Sequence, residues 1–360
     1  MAHPYADKPD YCFWRRAIGP VSMADVDPVV RGKFRISKKD RVATAGSCFA
    51  QHIARHLAQA GFNYFVTEAV NPLIPEYMGR DYNYGTFTAR YGNLYTTRQF
   101  VQLLRRAYAL FTPADDVWIG RDGRLFDPYR PQIQPNGFSS ETEFRLDREQ
   151  HFAAVRRAVE QCDVFVFTLG LTEAWVNNAD GAVYPLCPGT AAGTFDPAQH
   201  RFINFGMTQV LGDMREALDF IRDRNPRVRF IITVSPVALV ATAEDRHVLV
   251  STTYSKSVLR TVCGELDEQY DDVAYFPSYE IITGGFNRGA YYAPDLRDVT
   301  ETGVLHVMRL FMKHYAASDE PGGDVAPATE AAMPKRTAAE VAQGIADVVK
   351  VICDEEVLER

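Results

Sequence analysis

Residues 41–57, RVATAGSCFAQHIARHL, set a serine and a cysteine side by side, Ser47 and Cys48, where a short apolar run gives way to a helix-like pattern. A hydroxyl at such a turn can attack a carbonyl carbon, and the oxyanion that results needs hydrogen-bond donors. The start of a helix offers them, because its first N–H groups lack intrahelical partners and its dipole favours negative charge. A simpler role for Ser47 is to cap that helix. Cys48 is the stronger intrinsic nucleophile, and a helix N-terminus lowers a thiol pKa. Neighbouring side chains at a tight turn point apart, so only one of the two faces a given substrate, and Phe49 and Ala50 draw Cys48 towards the core. A Cys48-dependent acyl transfer is therefore the alternative to serine chemistry. Cys187, in YPLCPGTAAG, falls in a later loop that can line the same pocket.

The elements that must position Ser47 follow from hydrophobic periodicity. Short β-rich runs at 41–46, 63–67, 163–170, 228–236 and 273–278 alternate with helix-like segments at 49–61, 97–111, 148–160, 207–225, 254–270 and 301–315. In 207–225, Val210, Met214, Leu218 and Ile221 form one stripe. This alternation predicts an α/β fold, a doubly wound parallel sheet of about five strands. Ligands of such sheets bind beyond the carboxyl ends of the strands, which singles out the loops after residues 46, 170, 236 and 278. The domain expected over 37–316 carries an irregular insertion at about 68–147, with a hairpin at WIGRDGRLFDPY and a Tyr/Asn/Gly-rich piece that can roof a site. Residues 1–36 read as an N-terminal extension. Residues 317–337, rich in Pro, Gly, Ala and acidic residues, read as a linker, and 338–360 as a C-terminal helix that can dock on the body, on a partner or on a second copy.

The five residues Gly46-Ser47-Cys48-Phe49-Ala50 are the signature of the GSCFA family, which the chain resembles from about residue 40 to 315. That family looks like a branch of the SGNH, or GDSL-like, hydrolases, and the resemblance implies a flavodoxin-like sheet with Ser47 as nucleophile. RYGNLYTT (90–97) resembles the second SGNH block and makes Gly92 a backbone donor to the oxyanion. TLGLTEAW (168–175) resembles the third, with Thr172 where asparagine is common and Glu173 beside it. The fourth block is expected to read Asp-x-x-His, but here it is Asp295-Leu296-Arg297-Asp298. A carboxylate with an ordinary pKa near 4 is a poor general base for serine. Either Asp295 and Asp298 are tuned upwards, another histidine serves, or the chain no longer hydrolyses anything.

Eight histidines are present. His151 and His314 fall on or near exposed helices far from strand ends, and His52 lies more than a turn beyond Ser47. His306 can reach back from the last helix. His247 follows the fourth strand on the ligand side, beside Glu244 and Asp245, and is the leading replacement base. Lys256, at the mouth of that loop, reads as a ligand for phosphate or carboxylate or as a solvated residue.

A formal charge of −7 argues against nucleic acid as a partner. No apolar run approaches the ~20 residues needed to cross a bilayer, and the N-terminus lacks the pattern of a secretory signal. The six cysteines show no CxxC spacing, which suits free thiols in the cytoplasm and gives no metal site. GTAAG (189–193) lacks nucleotide-loop spacing, so no cofactor is expected. The expected function is an SGNH-like esterase or O-acyltransferase acting on an acyl ester of a saccharide or other polar metabolite. The competing class is a catalytically inactive binding or scaffold protein on the same fold.

Overall fold

The computed structural model describes residues 3–317, 351 and 353–359. Its strands are β1 (Val42–Gly46), β2 (Trp118–Ile119), β3 (Leu125–Phe126), β4 (Val164–Leu169), β5 (Glu173–Asn177), β6 (Val183–Tyr184), β7 (His200–Asn204), β8 (Arg229–Val234) and β9 (Val273–Tyr275). The helices are α1 (Trp14–Ala17), α2 (Ala50–Gln59), α3 (Glu76–Asp81), α4 (Thr97–Ala107), α5 (Glu141–Gln161), α6 (Met207–Arg222), α7 (Val248–Gln269), α8 (Ser278–Thr283) and α9 (Glu301–Tyr315). The described residues fall into two compact units, one drawn from 37–275 with 351–359, the other from 3–36 with 276–317.

The larger unit is built on a parallel sheet in the order β1-β4-β8-β9, flanked by helices. β1 and β4 are buried along their whole length, as expected of central parallel strands covered on both faces. Phe100 of α4 stacks on Phe165 and Phe167 of β4, with ring centroids 5.5 and 4.4 Å apart. The predicted stripe Val210, Met214, Leu218 and Ile221 is the buried face of α6. Of the five predicted strands, 63–67 is not one. It makes a single parallel bridge, Tyr64 to Val42, through two hydrogen bonds of 2.9 Å. The next donors turn away, Val66 N–H to Tyr64 O and Thr67 N–H to Thr88 O, so the ladder stops. Placed beside β1, this segment gives the flavodoxin-like order 2-1-3-4-5.

Two smaller sheets complete this unit, the predicted hairpin β2-β3 and an antiparallel β6-β5-β7 that the periodicity did not reveal. Within the insertion, a buried ionic network joins segments distant in sequence. Arg130 pairs with Asp127 at 3.0 Å and Asp147 at 2.8 Å, Arg90 with Asp147 at 2.6 Å, and His151 with Glu68 at 2.8 Å. His151 is thus buried, although its helix reads as exposed.

In the other unit, Ile36 N–H donates to Tyr315 O at 2.6 Å and His314 contacts Asp27 at 2.7 Å. Residues 318–337 of the expected linker and 338–350 of the expected terminal helix lie outside the described residues, while Asp354–Glu359 forms a 3-10 helix. Among the described residues, no helix is long and apolar enough to cross a membrane.

Candidate functional site

β1 ends at Gly46, whose φ is +125° and whose added Cβ would lie 2.2 Å from Thr168 O, so only glycine fits beside β4. Ser47 follows, its N–H donating to Thr168 O at 3.0 Å and its C=O accepting from Ala50 N–H at 2.9 Å. Its side chain does not cap α2: the cap residue is Phe49, without a side-chain bond, and Ser47 Oγ is buried with no hydrogen-bond partner. The residue is 2% exposed. Gly170, just past β4, closes the corner. A Cβ there would sit 2.9 Å from Ser47 Cβ and 3.0 Å from Tyr95 O. The 93–95 segment crosses both strand ends: Leu94 N–H donates to Gly46 O at 2.8 Å, and Gly170 and Leu171 N–H donate to Tyr95 O at 3.2 and 2.8 Å.

Asn93 opens that segment and is the donor that sequence reasoning missed. Its Nδ2 donates to the Asp354 carboxylate at 2.9 Å, and its backbone N–H donates to the same carboxylate. Its Oδ1 accepts from Gln51 Nε2 at 3.3 Å, which fixes the amide so that Nδ2 faces the anion. Asp354 N–H donates to Tyr95 Oη at 2.9 Å, and Gln132 Nε2 donates to Asp354 O at 3.2 Å. Burial pushes the Asp354 carboxyl up to about 6, against the lowering effect of the Asn93 bonds. Gly92, the expected backbone donor, has φ +69° and lines the cavity that Asn93 and Asp354 also line. The amide bonded to the carboxylate is that of the next residue. The presence of an amide side chain in RYGNLYTT was the available signal.

The other expected donors are already engaged. Ser47 N–H is held by Thr168 O, Thr172 N–H donates to Ser255 Oγ at 3.0 Å, and Thr172 Oγ1 donates to Asn204 Oδ1 at 2.7 Å. Thr172 therefore ties loops together and has no spare donor for an oxyanion. Glu173 begins β5, half-buried, accepting from Thr242 Oγ1 at 2.8 Å and from the Ala243 backbone; burial raises its carboxyl pKa. It lines a cleft of about 310 Å³ with Leu171, Cys187, Leu239 and Leu358. Burial pushes the Cys187 thiol up to about 11, the opposite of an activated thiolate. Cys48 is buried at 3% exposure.

The expected bases are placed otherwise. His247 is the exposed N-cap of α7, its Nδ1 accepting from Leu249 N–H at 3.2 Å. Asp295 is exposed and accepts from Arg297 and Asp298 N–H at 3.1 Å each, a closed local turn. Asp298 is exposed and pairs with Arg297 at 3.5 Å. Burial lowers the His52 imidazole to about 3, with Arg55 and His56 adding to the effect. His306 has both ring nitrogens engaged, by Tyr291 Oη at 2.6 Å and Val26 O at 2.9 Å. Lys256 is neither solvated nor at a ligand's edge: it is 1% exposed, and its Nζ donates to Gly170 O at 2.7 Å, directly behind the corner that holds Ser47.

Among the described residues, no group of three or more His, Cys, Asp or Glu side chains is arranged to hold a metal ion. No curated protein matches the sequence. The model of the GSCFA family matches residues 41–311, from the start of β1 into α9, and the chain belongs to that family.

Proposed function

We propose that the chain is an SGNH-like serine esterase or O-acyltransferase, working through an acyl-enzyme on Ser47 and taking an acyl ester of a saccharide or another polar metabolite. One observation carries this reading. Asn93 aims a backbone N–H and a side-chain N–H at one carboxylate, and the next residue, Leu94, bonds Gly46 O at the end of the strand that leads into Ser47. Two donors converging on an anion, on the segment that crosses the strand end leading into Ser47, suit the tetrahedral oxyanion of acyl transfer. The flavodoxin-like strand order and the strand-turn-helix setting of Ser47 support membership of the SGNH branch.

In this mechanism Ser47 Oγ bonds to the acyl carbon and its proton passes to a base, while the carbonyl electron pair collects on the oxygen held by Asn93. Collapse expels the alcohol, which takes back that proton, and leaves the acyl group on Ser47. Water or an acceptor hydroxyl then attacks the acyl carbon and gives its proton to the base, and Ser47 Oγ leaves as the acyl bond breaks and is reprotonated. Glu173, raised by burial and lining the cleft, is the group assigned to proton transfer, whereas His247, the leading base on sequence grounds, caps α7 at the surface with its Nδ1 engaged. The free thiols of all six cysteines suit a reducing cytoplasm.

The second reading, a binding protein on an inactive hydrolase fold, is favoured by the buried, unpartnered state of Ser47 Oγ. A fluorophosphonate probe, applied to the wild-type chain and to Asp354→Lys, separates the two. Labelling abolished by Ser47→Ala supports serine chemistry. Labelling abolished by Cys48→Ala moves it to the thiol. A folded chain that labels in neither form is a binding protein.

A further inference from the structure

The C-terminal segment has a place in this site. We propose that the Asn93 cradle is a carboxylate-binding site and that Cys353–Leu358 is its intrachain ligand, with Asp354 standing where the acyl oxygen or carboxylate of a ligand is held.

Four contacts fix the aspartate: Asn93 N–H and Nδ2 to its carboxylate, its own N–H to Tyr95 Oη, and Gln132 Nε2 to its C=O. Of the acidic run Asp354, Glu355 and Glu356, only Asp354 is buried, at 4% exposure, while its two neighbours stay partly exposed. A segment packing merely to hide apolar surface would turn this run outward, because burying a carboxyl group costs free energy, and the Asn93 bonds offset only part of that cost. The donors bonded to it are neutral. Arg130, which lines the same cavity, is held by Asp127 at 3.0 Å and Asp147 at 2.8 Å. Neutral donors bind a carboxylate more weakly than a paired cation does, which makes the contact displaceable. The same segment borders the cleft through Glu355 and Leu358, next to Glu173 and Cys187. It therefore occupies the cradle and also borders the cleft. Release of the segment opens the site to a carboxylate-bearing or ester ligand. The consequence for catalysis rests on the serine reading above, whereas the docking itself does not.

The test is amide hydrogen exchange on the full chain, comparing wild type with Asp354→Lys. The variant should raise exchange at Asn93 and at residue 354 by about tenfold or more, the loss of one or two hydrogen bonds to a charged group, and leave β4 unchanged. Should charge reversal disturb β4, Asp354→Ala serves in its place. A synthetic peptide of residues 351–360, added to the variant, should restore protection at Asn93, and the same peptide with lysine at position 354 should not. An Asn93 amide that exchanges freely in the wild type, or a peptide that fails to protect it, overturns the proposal. Fluorophosphonate labelling of the same samples keeps the two readings apart. Undocking without any labelling of Ser47 removes the serine chemistry and leaves the docking intact, while unchanged protection removes the docking whatever the labelling does.

Discussion

The Asp354 carboxyl makes docking of the C-terminal segment a function of pH, and the sign follows from its environment. Burial raises the docked group from the ordinary 3.8 to about 6. A docked carboxyl that holds its proton more tightly than the free one favours docking when protonated. Docking is strongest below pH 3.8, weakens as the pH rises through 6, and levels off above. The difference between the two values corresponds to about 3 kcal/mol, or about a hundredfold in the docking constant. The groups facing the carboxyl do not alter this sense within that range. Asn93 and Gln132 are neutral, the Tyr95 phenol is pushed far up by burial and by Asp354 and so stays protonated, and Arg130 is already paired. Glu355 and the thiols of Cys48 and Cys353 act on Tyr95 only in the direction that keeps its proton on. The assay is the protection factor of the Asn93 amide, corrected for intrinsic exchange, between pH 4 and pH 8. It should fall by about two orders of magnitude in the wild type and remain flat in Asp354→Asn, which keeps an acceptor oxygen but cannot ionise. A wild-type protection factor that is constant or rises with pH would falsify the reasoning, because a rise requires a cation to dominate the carboxylate.

Two further perturbations probe the scaffold of the site. Gly46→Ala puts a Cβ 2.2 Å from Thr168 O at a φ of +125°, so the strand end must move; thermal or urea unfolding should record a loss of about 3 kcal/mol or more, and an unchanged midpoint would refute the need for glycine there. Arg130→Met removes one of the three arginines around Asp127 and one of the two on Asp147, and removal of one member of such a buried group costs about 3–5 kcal/mol. The Asp127 carboxyl, held well below the usual carboxylate range by Arg148, Arg130 and Arg106 against burial, should then rise, and a variant as stable as the wild type would mean that the network relaxes without cost.

What could be read from the sequence was local, and what could not was held together over long distances. β1, the turn at Gly46-Ser47 and the buried stripe of α6 follow from composition and period, which act within a few residues. The run at 63–67 has the composition of a strand but fails as one because Thr67 N–H is taken by Thr88, a partner that no local pattern announces. His151 and Lys256 look solvent-facing on their helices, yet Glu68, 83 residues away, and Gly170, 86 residues away, draw them inside. The site divides along the same line. Ser47 could be found because a strand-turn-helix places it, whereas the anion cradle needs Asn93 and Asp354, 261 residues apart, to meet. Position 298, where the resemblance to SGNH hydrolases leads to the expectation of a histidine, also reads differently in this light. Asp295 and Asp298 close a turn of their own, so the substitution at 298 has not recruited a carboxylate as a base. The carboxylate that does reach the candidate oxyanion position comes from the far end of the chain and sits on the donors themselves. That is the geometry of a bound ligand and not of a general base, which has to lie on the serine hydroxyl.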